Sequence, residues 1–327
     1  MVALAVFAFV VVLGVTGSLM AFEGPLDRAL APRCFTVAPS PRPPLPLLRL
    51  GAIAAARGRA PALAFRLPRD ARDSYSAFLG SGEEVFLDGA TGAVLGSRRG
   101  SPFLQAVHSL HTQLLLRGPG RTVVSWAGVG AFVVTLTGFV VWLRTRRVWI
   151  HPGGGVRGLF DLHAVAGLYA YLFLLLVSGT GVLIAFDDAL LPRLYAATGT
   201  RPVPRAAHVA FRPGRPWVSP ERALAAAAGA VPGGAPFLLG LPDSSGTPYE
   251  VRVRAGGDLT PGGRSWVIVD PYDARVLVAQ DIRRAPLPAR WELAVRQLHT
   301  GDAAGTPGRV LASATALLAV LQACSGA

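Results

Sequence analysis

Four long runs of apolar residues divide the chain. They are Met1–Phe22, Val123–Leu143, Ala164–Phe186 and Val310–Ala327. Each is close to the roughly 20 residues that an α-helix needs to cross the hydrocarbon core of a bilayer. A helix also satisfies all of its own backbone hydrogen bonds there, which an isolated irregular segment does not. The pattern therefore predicts four transmembrane helices.

The short loop between the second and third runs sets the predicted orientation. Between Leu143 and His163 it holds four arginines against one aspartate, Asp161, and short basic loops stay in the cytoplasm. The two long segments then lie on the extracytoplasmic side and the N-terminus lies in the cytoplasm. The first run could instead be a cleaved signal peptide, but it has no basic start and is longer than usual, so a span is favoured.

The chain also repeats itself. TGSLMAF (Thr16–Phe22) in the first run resembles TGVLIAF (Thr180–Phe186) in the third. An LHT triplet precedes the second and fourth runs, and both His111 to Gly138 and His299 to Gly326 span 27 residues. A fixed spacing of similar segments indicates two related halves. Each half reads as a span, an outer domain and a second span.

Within each outer domain the pattern predicts one helix followed by an antiparallel sheet. The helices are expected near Leu47–Arg57 and Pro220–Ala230, and the first strands of each half near Ala62–Leu67 and Pro236–Leu241. A second strand follows each, near Ser74–Leu79 and Tyr249–Arg254. DGATG, starting at Asp88, and DPYDA, starting at Asp270, lie between alternating apolar residues and predict hairpin turns.

Composition narrows the function further. Hydrophobic residues make up 51% of the 327 residues, and the formal net charge is +13 with no lysine. Such a charge can indicate nucleic-acid binding, but the arginines are scattered through Pro/Gly-rich loops with no recognisable motif, so no nucleic-acid partner is expected. Arginines near lipid headgroups explain the charge better. Cys34 and Cys324 are predicted to lie too far apart for a disulfide.

These features together resemble the PepSY-associated transmembrane-helix family, also called PiuB-type iron-regulated membrane proteins. The resemblance rests on the TG exits, the LHT approaches, DLHAVAGL at the start of the third span and LTGFVVWLRTRR at the end of the second. It implies a membrane α-helical fold with four transmembrane helices and two extracytoplasmic α+β PepSY-like modules. It also implies a multi-pass protein of the bacterial inner (plasma) membrane.

The expected domain boundaries follow from the spans. Spans are placed at residues 1–22, 121–145, 162–186 and 309–327, modules at 23–120 and 187–308, and a cytoplasmic loop at 146–161. His163 precedes Gly181 by 18 residues, and the equivalent position before Gly17 falls upstream of Met1. The fourth run stops at Ser325-Gly326-Ala327, where the second continues to Trp142 and an arginine cluster. Both chain ends are therefore expected to be truncated.

The family includes ferric-siderophore reductases that carry b-type haem, so the resemblance implies one or two haem b groups. Imidazole is a common haem ligand, and helix bundles can present two imidazoles to one iron. His111 is expected to pair with His299 on the outer side, because 27 helical residues extend about 40 Å and so exceed the core. His163 would hold a second haem with the histidine missing from the first span. Arg121 and Arg309, at matching positions, could neutralise haem propionates.

Several alternatives remain at this point. Interfacial histidines are often simple polar anchors, and His108, His151 and His208 are interpreted as surface or loop residues. The cytoplasmic loop is too short for a flavin domain, so a quinol or a cytoplasmic reductase would donate the electrons. The favoured function is reduction of an iron(III) chelate at the outer face. The alternative is a membrane-anchored PepSY module that binds peptides or regulates proteases without catalysis; haem content distinguishes the two.

Overall fold

Helices dominate the two ends and the middle of the chain, and strands fill the segments between them. The computed structural model describes residues 2–150, 155–205, 207–258, 260 and 262–326. The α-helices in this part of the chain are α1 (Val2–Met20), α2 (Glu23–Leu30), α3 (Pro32–Phe35), α4 (Leu47–Gly58), α5 (Pro102–Gln113), α6 (Gly118–Thr145), α7 (Val156–Ala185), α8 (Asp187–Ala197), α9 (Pro220–Ala230), α10 (Leu287–Thr300) and α11 (Gly305–Gly326). The strands are β1 (Ala62–Arg66), β2 (Tyr75–Leu79), β3 (Glu84–Leu87), β4 (Val94–Arg98), β5 (Ala235–Gly240), β6 (Tyr249–Arg254), β7 (Ser265–Val269) and β8 (Val276–Gln280).

The chain divides into two compact units. Residues 1–23, 103–199 and 291–327 form the first, which we call the membrane unit. Residues 24–102 and 200–290 form the second, which we call the sheet unit. Each unit is thus assembled from segments that are distant in the sequence.

In the membrane unit, four helices pack in a closed circuit. α6 packs against α7, α7 against α11, α11 against α1, and α1 against α6. Among the described residues, three helical segments are long and apolar enough to cross a membrane, namely α6, α7 and Asp302–Gly326, which contains α11. α1 from Phe7 onward and α2 qualify only as a pair bent by 65°. The structure therefore supports three spans, and a fourth if the bent pair counts as one.

The helices of the membrane unit place large apolar side chains outside and small polar side chains inside, a distribution that suits a lipid environment. Large apolar side chains such as Trp126, Tyr169 and Leu172 are 63%, 68% and 72% exposed, whereas small polar ones lie inside, including Thr16, Thr180 and Thr315. A methyl group built at Gly14 of α1 would lie 2.6 Å from the carbonyl oxygen of Ala316 in α11. Small residues that let backbones approach this closely are characteristic of helix contacts in membranes.

The sheet unit contains one antiparallel sheet in the order β4-β3-β2-β1-β5-β6-β7-β8. The predicted helices and strands of both segments are confirmed, with ends that agree within one or two residues. The sequence indicated two modules, each with its own sheet, and here the structure differs. β1 pairs with β5, with Phe65 opposite Leu239, so two four-stranded halves share a single sheet.

Helices α4 and α9 cover one face of this sheet. Phe65, Val85, Leu239, Val251 and Val267 are fully buried in the core on that side. Ser219 caps α9 by accepting a hydrogen bond from the backbone of Arg222, with Pro220 in the first turn, an arrangement that favours helix initiation. The Glu221 carboxylate of α9 accepts a hydrogen bond from the backbone N–H of Leu47 at 2.7 Å. The first turn of α4 is thereby tied to the other half.

Both predicted hairpin turns are confirmed. Between β3 and β4, Asp88 Oδ1 accepts hydrogen bonds from the backbone of Ala90 and Thr91 at 2.8 and 3.3 Å. Between β7 and β8, Asp270 Oδ1 accepts one from Tyr272 at 2.8 Å. Aspartate favours such turns because its side chain bonds to the backbone two residues further on.

Candidate functional site

Three histidines of the membrane unit lie against a hydroxyl residue and a glycine of a neighbouring helix. His111 of α5 contacts Thr16 and Gly17 of α1. Its Nδ1 lies 2.9 Å from Thr16 Oγ1, and a methyl group built at Gly17 would be 3.1 Å from its Cε1. The glycine therefore gives the imidazole ring the space to lie close to the helix.

His299 of α10 makes the same contact with Thr180 and Gly181 of α7. Its Nδ1 is 3.1 Å from Thr180 Oγ1 and 3.0 Å from the carbonyl oxygen of Val177. A methyl group built at Gly181 would be 3.2 Å from His299 Cε1. Because a carbonyl oxygen can only accept, the Nδ1 of His299 carries the proton.

His163 of α7 completes the set with Ser325 and Gly326 of α11. Its Nδ1 lies 3.0 Å from Ser325 Oγ, and a methyl group built at Gly326 would be 2.8 Å from its Cε1. The side-chain amide of Gln322 donates to the backbone carbonyl of His163 at 3.1 Å. The histidine that begins the third predicted span is thus held by the end of the fourth.

The hydroxyl hydrogen bonds determine the tautomer of all three imidazoles. Thr16 Oγ1 donates its single proton to Val12 O at 2.6 Å, and Thr180 Oγ1 to Leu176 O at 2.6 Å. Ser325 Oγ donates to Leu321 O at 2.8 Å. A hydroxyl has one proton, so toward each histidine it must accept. Nδ1–H is then the donor in each case, and Nε2 carries the lone pair.

Nδ1 forms the hydrogen bonds of these three rings with the hydroxyl groups and, in His299, with the carbonyl oxygen of Val177. Burial, and then the neighbouring charges of His299 and His108, lower the pKa of His111 to about 4. Burial also lowers the pKa of His299. Both rings are neutral at pH 7, the form in which imidazole binds a metal.

Thr137-Gly138 of α6 has the same sequence but no such partner. Thr137 donates to Val133 O within its own helix, and a methyl group built at Gly138 would meet nothing within 4 Å among the described atoms. The TG pairs of α1 and α7, in contrast, pack against the imidazole rings of His111 and His299. The contact of His163 with Ser325-Gly326 was not predicted from the sequence. A signal for it exists, because Ser325-Gly326 occupies the same position in the 27-residue spacing as Thr137-Gly138.

Arg121 and Arg309 are ion paired. Arg121 Nη2 is 2.8 Å from Asp188 Oδ2 and 3.6 Å from Asp187 Oδ1, and Arg309 Nε is 2.7 Å from Asp302 Oδ1. Aspartates therefore already neutralise both arginines, and a propionate would have to share or replace these partners.

Of the remaining histidines, His108 and His208 form no hydrogen bond with these three rings among the described residues. His108 and His208 are exposed, as expected for surface residues. His151 and Gly153-Gly154 lie outside the described residues.

The donor set fits b-type haem better than a metal ion held by protein alone. Within the described residues, no three side chains of His, Cys, Asp or Glu converge as metal ligands. Haem supplies four ligands itself and needs one or two imidazoles. A backbone or hydroxyl acceptor on Nδ1 is also the usual outer partner of a metal-binding histidine.

Comparison with known proteins agrees with this architecture. A sequence profile of the PepSY-associated TM region matches residues 1–327, and the chain belongs to this family of membrane proteins. The chain is also 36% identical over 86 residues to the uncharacterized protein PA4219 of Pseudomonas aeruginosa. That match covers 25% of this chain and only 22% of the Pseudomonas protein.

Proposed function

We propose that the chain is a haem-bearing transmembrane electron-transfer protein that reduces iron(III) chelates. The observation that carries the proposal is the shared setting of His111, His163 and His299. Each ring has its Nδ1 proton held by a hydroxyl of another helix, which leaves Nε2 as a metal ligand. Simple polar anchors at an interface have no need of one fixed tautomer.

In this proposal His111 and His299 would hold one haem b through their Nε2 atoms, and His163 would hold a second. A bound haem would accept and release single electrons between the ferric and ferrous states. The chain itself fixes ring orientation and tautomer through Thr16, Thr180 and Ser325. Such hydrogen bonds also raise the basicity of the ligand nitrogen.

The direction of electron flow follows from the predicted topology. The loop rich in arginine lies in the cytoplasm of a bacterial cell and the sheet unit lies outside the inner membrane. A quinol or a cytoplasmic reductase donates one electron for each iron, and Fe³⁺ in the chelate becomes Fe²⁺. Ferrous iron is held less tightly by hard oxygen ligands, so reduction releases the metal for uptake.

Absorption spectra of the purified protein test the proposal. The chain would be expressed in haem-replete cells, purified in detergent and measured oxidised and dithionite-reduced, together with His111→Ala, His163→Ala and His299→Ala. The matched control is His108→Ala, because His108 lies one turn from His111 on the same helix and is exposed. We expect a reduced b-type spectrum that each of the three variants weakens and the control leaves unchanged.

The opposite result would favour a different function. A folded but colourless protein would overturn the redox proposal, and a peptide-binding or protease-regulating membrane module without catalysis would become the better account. Haem loss in His108→Ala equal to that in His111→Ala would remove the assignment of His111 as a ligand.

A further inference from the structure

The end of α7 and the start of α8 hold α10 at two points. At the first, Thr180 and Gly181 contact the ring of His299. At the second, Asp187, the first residue of α8, accepts a hydrogen bond from Arg296 Nη2 at 2.5 Å. Arg296 precedes His299 by three residues, so both side chains lie on the same face of α10. Two contacts one helical turn apart fix the rotation of α10, and with it the direction in which the imidazole points.

The ion pair between Asp187 and Arg296 is partly shielded from water and is supported on both sides. The two side chains are 14% and 31% exposed. Glu292, one turn earlier on α10, accepts a hydrogen bond from Arg296 Nε at 3.3 Å, and Arg121 Nη2 lies 3.6 Å from the other oxygen of Asp187. Hydrogen bonds between charged groups are shorter and stronger than neutral ones, and partial burial protects them from screening by salt.

The matching positions in the first half of the chain form no such pair. His108 precedes the first LHT histidine by three residues, as Arg296 precedes the second, and Glu23 follows the first TG segment where Asp187 follows the other. Glu23 is exposed, and no ion pair joins it to His108 within the part of the chain that the structure describes. The pair therefore belongs to the surroundings of one of the two repeated histidines and not to the repeat in general.

A charge one helical turn from a group favours the state of that group with the more compatible charge. Ferric haem carries one positive charge more than ferrous haem. On a ligand at His299, the positive charge of Arg296 would therefore favour the ferrous form. The negative charge of Asp187 opposes this effect. The two residues thus act on the same equilibrium with opposite signs.

We infer that Asp187 and Arg296 are positioning residues for His299, and that their opposite charges set the reduction potential of the haem proposed there. The effect on the reduction potential rests on the proposed function. The positioning of α10 rests on the contacts alone, so the two parts are measured separately.

Hydrogen exchange of the purified full-length chain in detergent measures the positioning without reference to haem. We expect amides of residues 294–300 to exchange about tenfold faster in Asp187→Asn and in Arg296→Gln, because each variant removes a charge-assisted hydrogen bond that holds α10. Exchange in α5 should stay unchanged. The matched control is Asp188→Asn, which removes the same charge from the next residue. Asp188 is 83% exposed and pairs with Arg121.

Spectroelectrochemical titration of the same variants measures the effect of charge. At a fixed applied potential, Arg296→Gln should lower the ratio of ferrous to ferric haem about tenfold and Asp187→Asn should raise it about tenfold, which is 59 mV for a one-electron couple. Arg296→Lys keeps the charge and should restore most of the wild-type potential. Asp188→Asn should produce a smaller shift than Asp187→Asn, because water screens an exposed charge.

The sign of the two shifts distinguishes a charge effect from simple loosening. Asp187→Asn and Arg296→Gln break the same ion pair, so loosening alone would move the potential in the same direction in both variants and would overturn the charge role. Unchanged exchange in α10, or equal acceleration in Asp188→Asn, would overturn the positioning role. A colourless protein in which only the first two variants exchange faster would overturn the proposed electron transfer and leave the positioning of His299 standing.

Discussion

At the scale of single residues, three hydroxyl groups determine the tautomer of three histidine rings. Each hydroxyl gives its proton to a carbonyl of its own helix, as Thr16 does to Val12, and therefore accepts from imidazole Nδ1. Neither the threonine nor the histidine is unusual by itself. The combination leaves an unprotonated Nε2 in a membrane protein, where few side chains can bind a metal.

We expect Thr16→Val to weaken binding of the proposed haem. Valine keeps the shape of threonine but removes the acceptor 2.9 Å from His111 Nδ1. Loss of such an outer partner typically costs 10–100-fold in metal affinity, so haem transfer to a haem-scavenging protein should be about tenfold faster. The rate is measured by absorbance. Thr137→Val makes the same change where no imidazole contacts the adjoining glycine, and equal rates in both variants would contradict the role given to Thr16.

At the scale of helices, glycines decide how closely the spans approach each other. Gly14 is buried on α1, and a methyl group there would lie 2.6 Å from both Ala316 O and Val320 Cγ2 of α11. The oxygen belongs to the backbone and cannot rotate away. Gly138, in contrast, is exposed on α6. Substitutions at these two positions therefore distinguish the effect of glycine on helix packing from the effect of its low helix propensity.

Gly14→Ala should therefore destabilise the membrane unit, and Gly138→Ala should not. Overpacking against a backbone atom costs about 1–3 kcal/mol, whereas alanine at an exposed helix position is favoured over glycine by about 1 kcal/mol. Thermal unfolding in detergent should show a lower midpoint for Gly14→Ala and an equal or higher one for Gly138→Ala. A midpoint for Gly14→Ala at or above wild type would exclude the close contact between α1 and α11.

At the scale of the whole molecule, the eight-stranded sheet makes one unit from two distant segments. The pairing of β1 with β5 supplies each edge strand with the hydrogen bonds that an exposed edge lacks. The α4 helix also receives its N-terminal hydrogen bond from Glu221 of the other half. We therefore expect the two halves to unfold together.

Hydrogen exchange after Phe65→Leu tests this cooperativity. Phe65 is fully buried on β1 and pairs with Leu239, so the smaller side chain should cost about 1–2 kcal/mol. Amide protection should fall in β6 and β7 as well as in β2 and β3. Leu63→Ala, on the same strand but 51% exposed, should leave protection nearly unchanged. Faster exchange confined to β2 and β3 would mean that the halves are independent modules.

The sequence by itself determined the local elements. Apolar runs identified α6, α7 and α11, and alternating residues with turn signals located β1, β2, β5 and β6 within two residues. It also pointed to His111 and His299 as candidates through their repeated LHT triplets, and to His163 through its place at the start of the third span. These features depend on periodicity and turn chemistry within a few residues of chain, which a linear pattern records.

Only the tertiary structure decided which elements meet. Nothing in the sequence of β1 shows that its free edge pairs with β5, because all edge strands offer the same backbone donors and acceptors. The contact of His163 with Ser325 and the ion pairs of Arg121 with Asp187 and Asp188 likewise join distant residues. Such contacts depend on how whole helices pack, so the tautomer of each histidine became visible only in three dimensions.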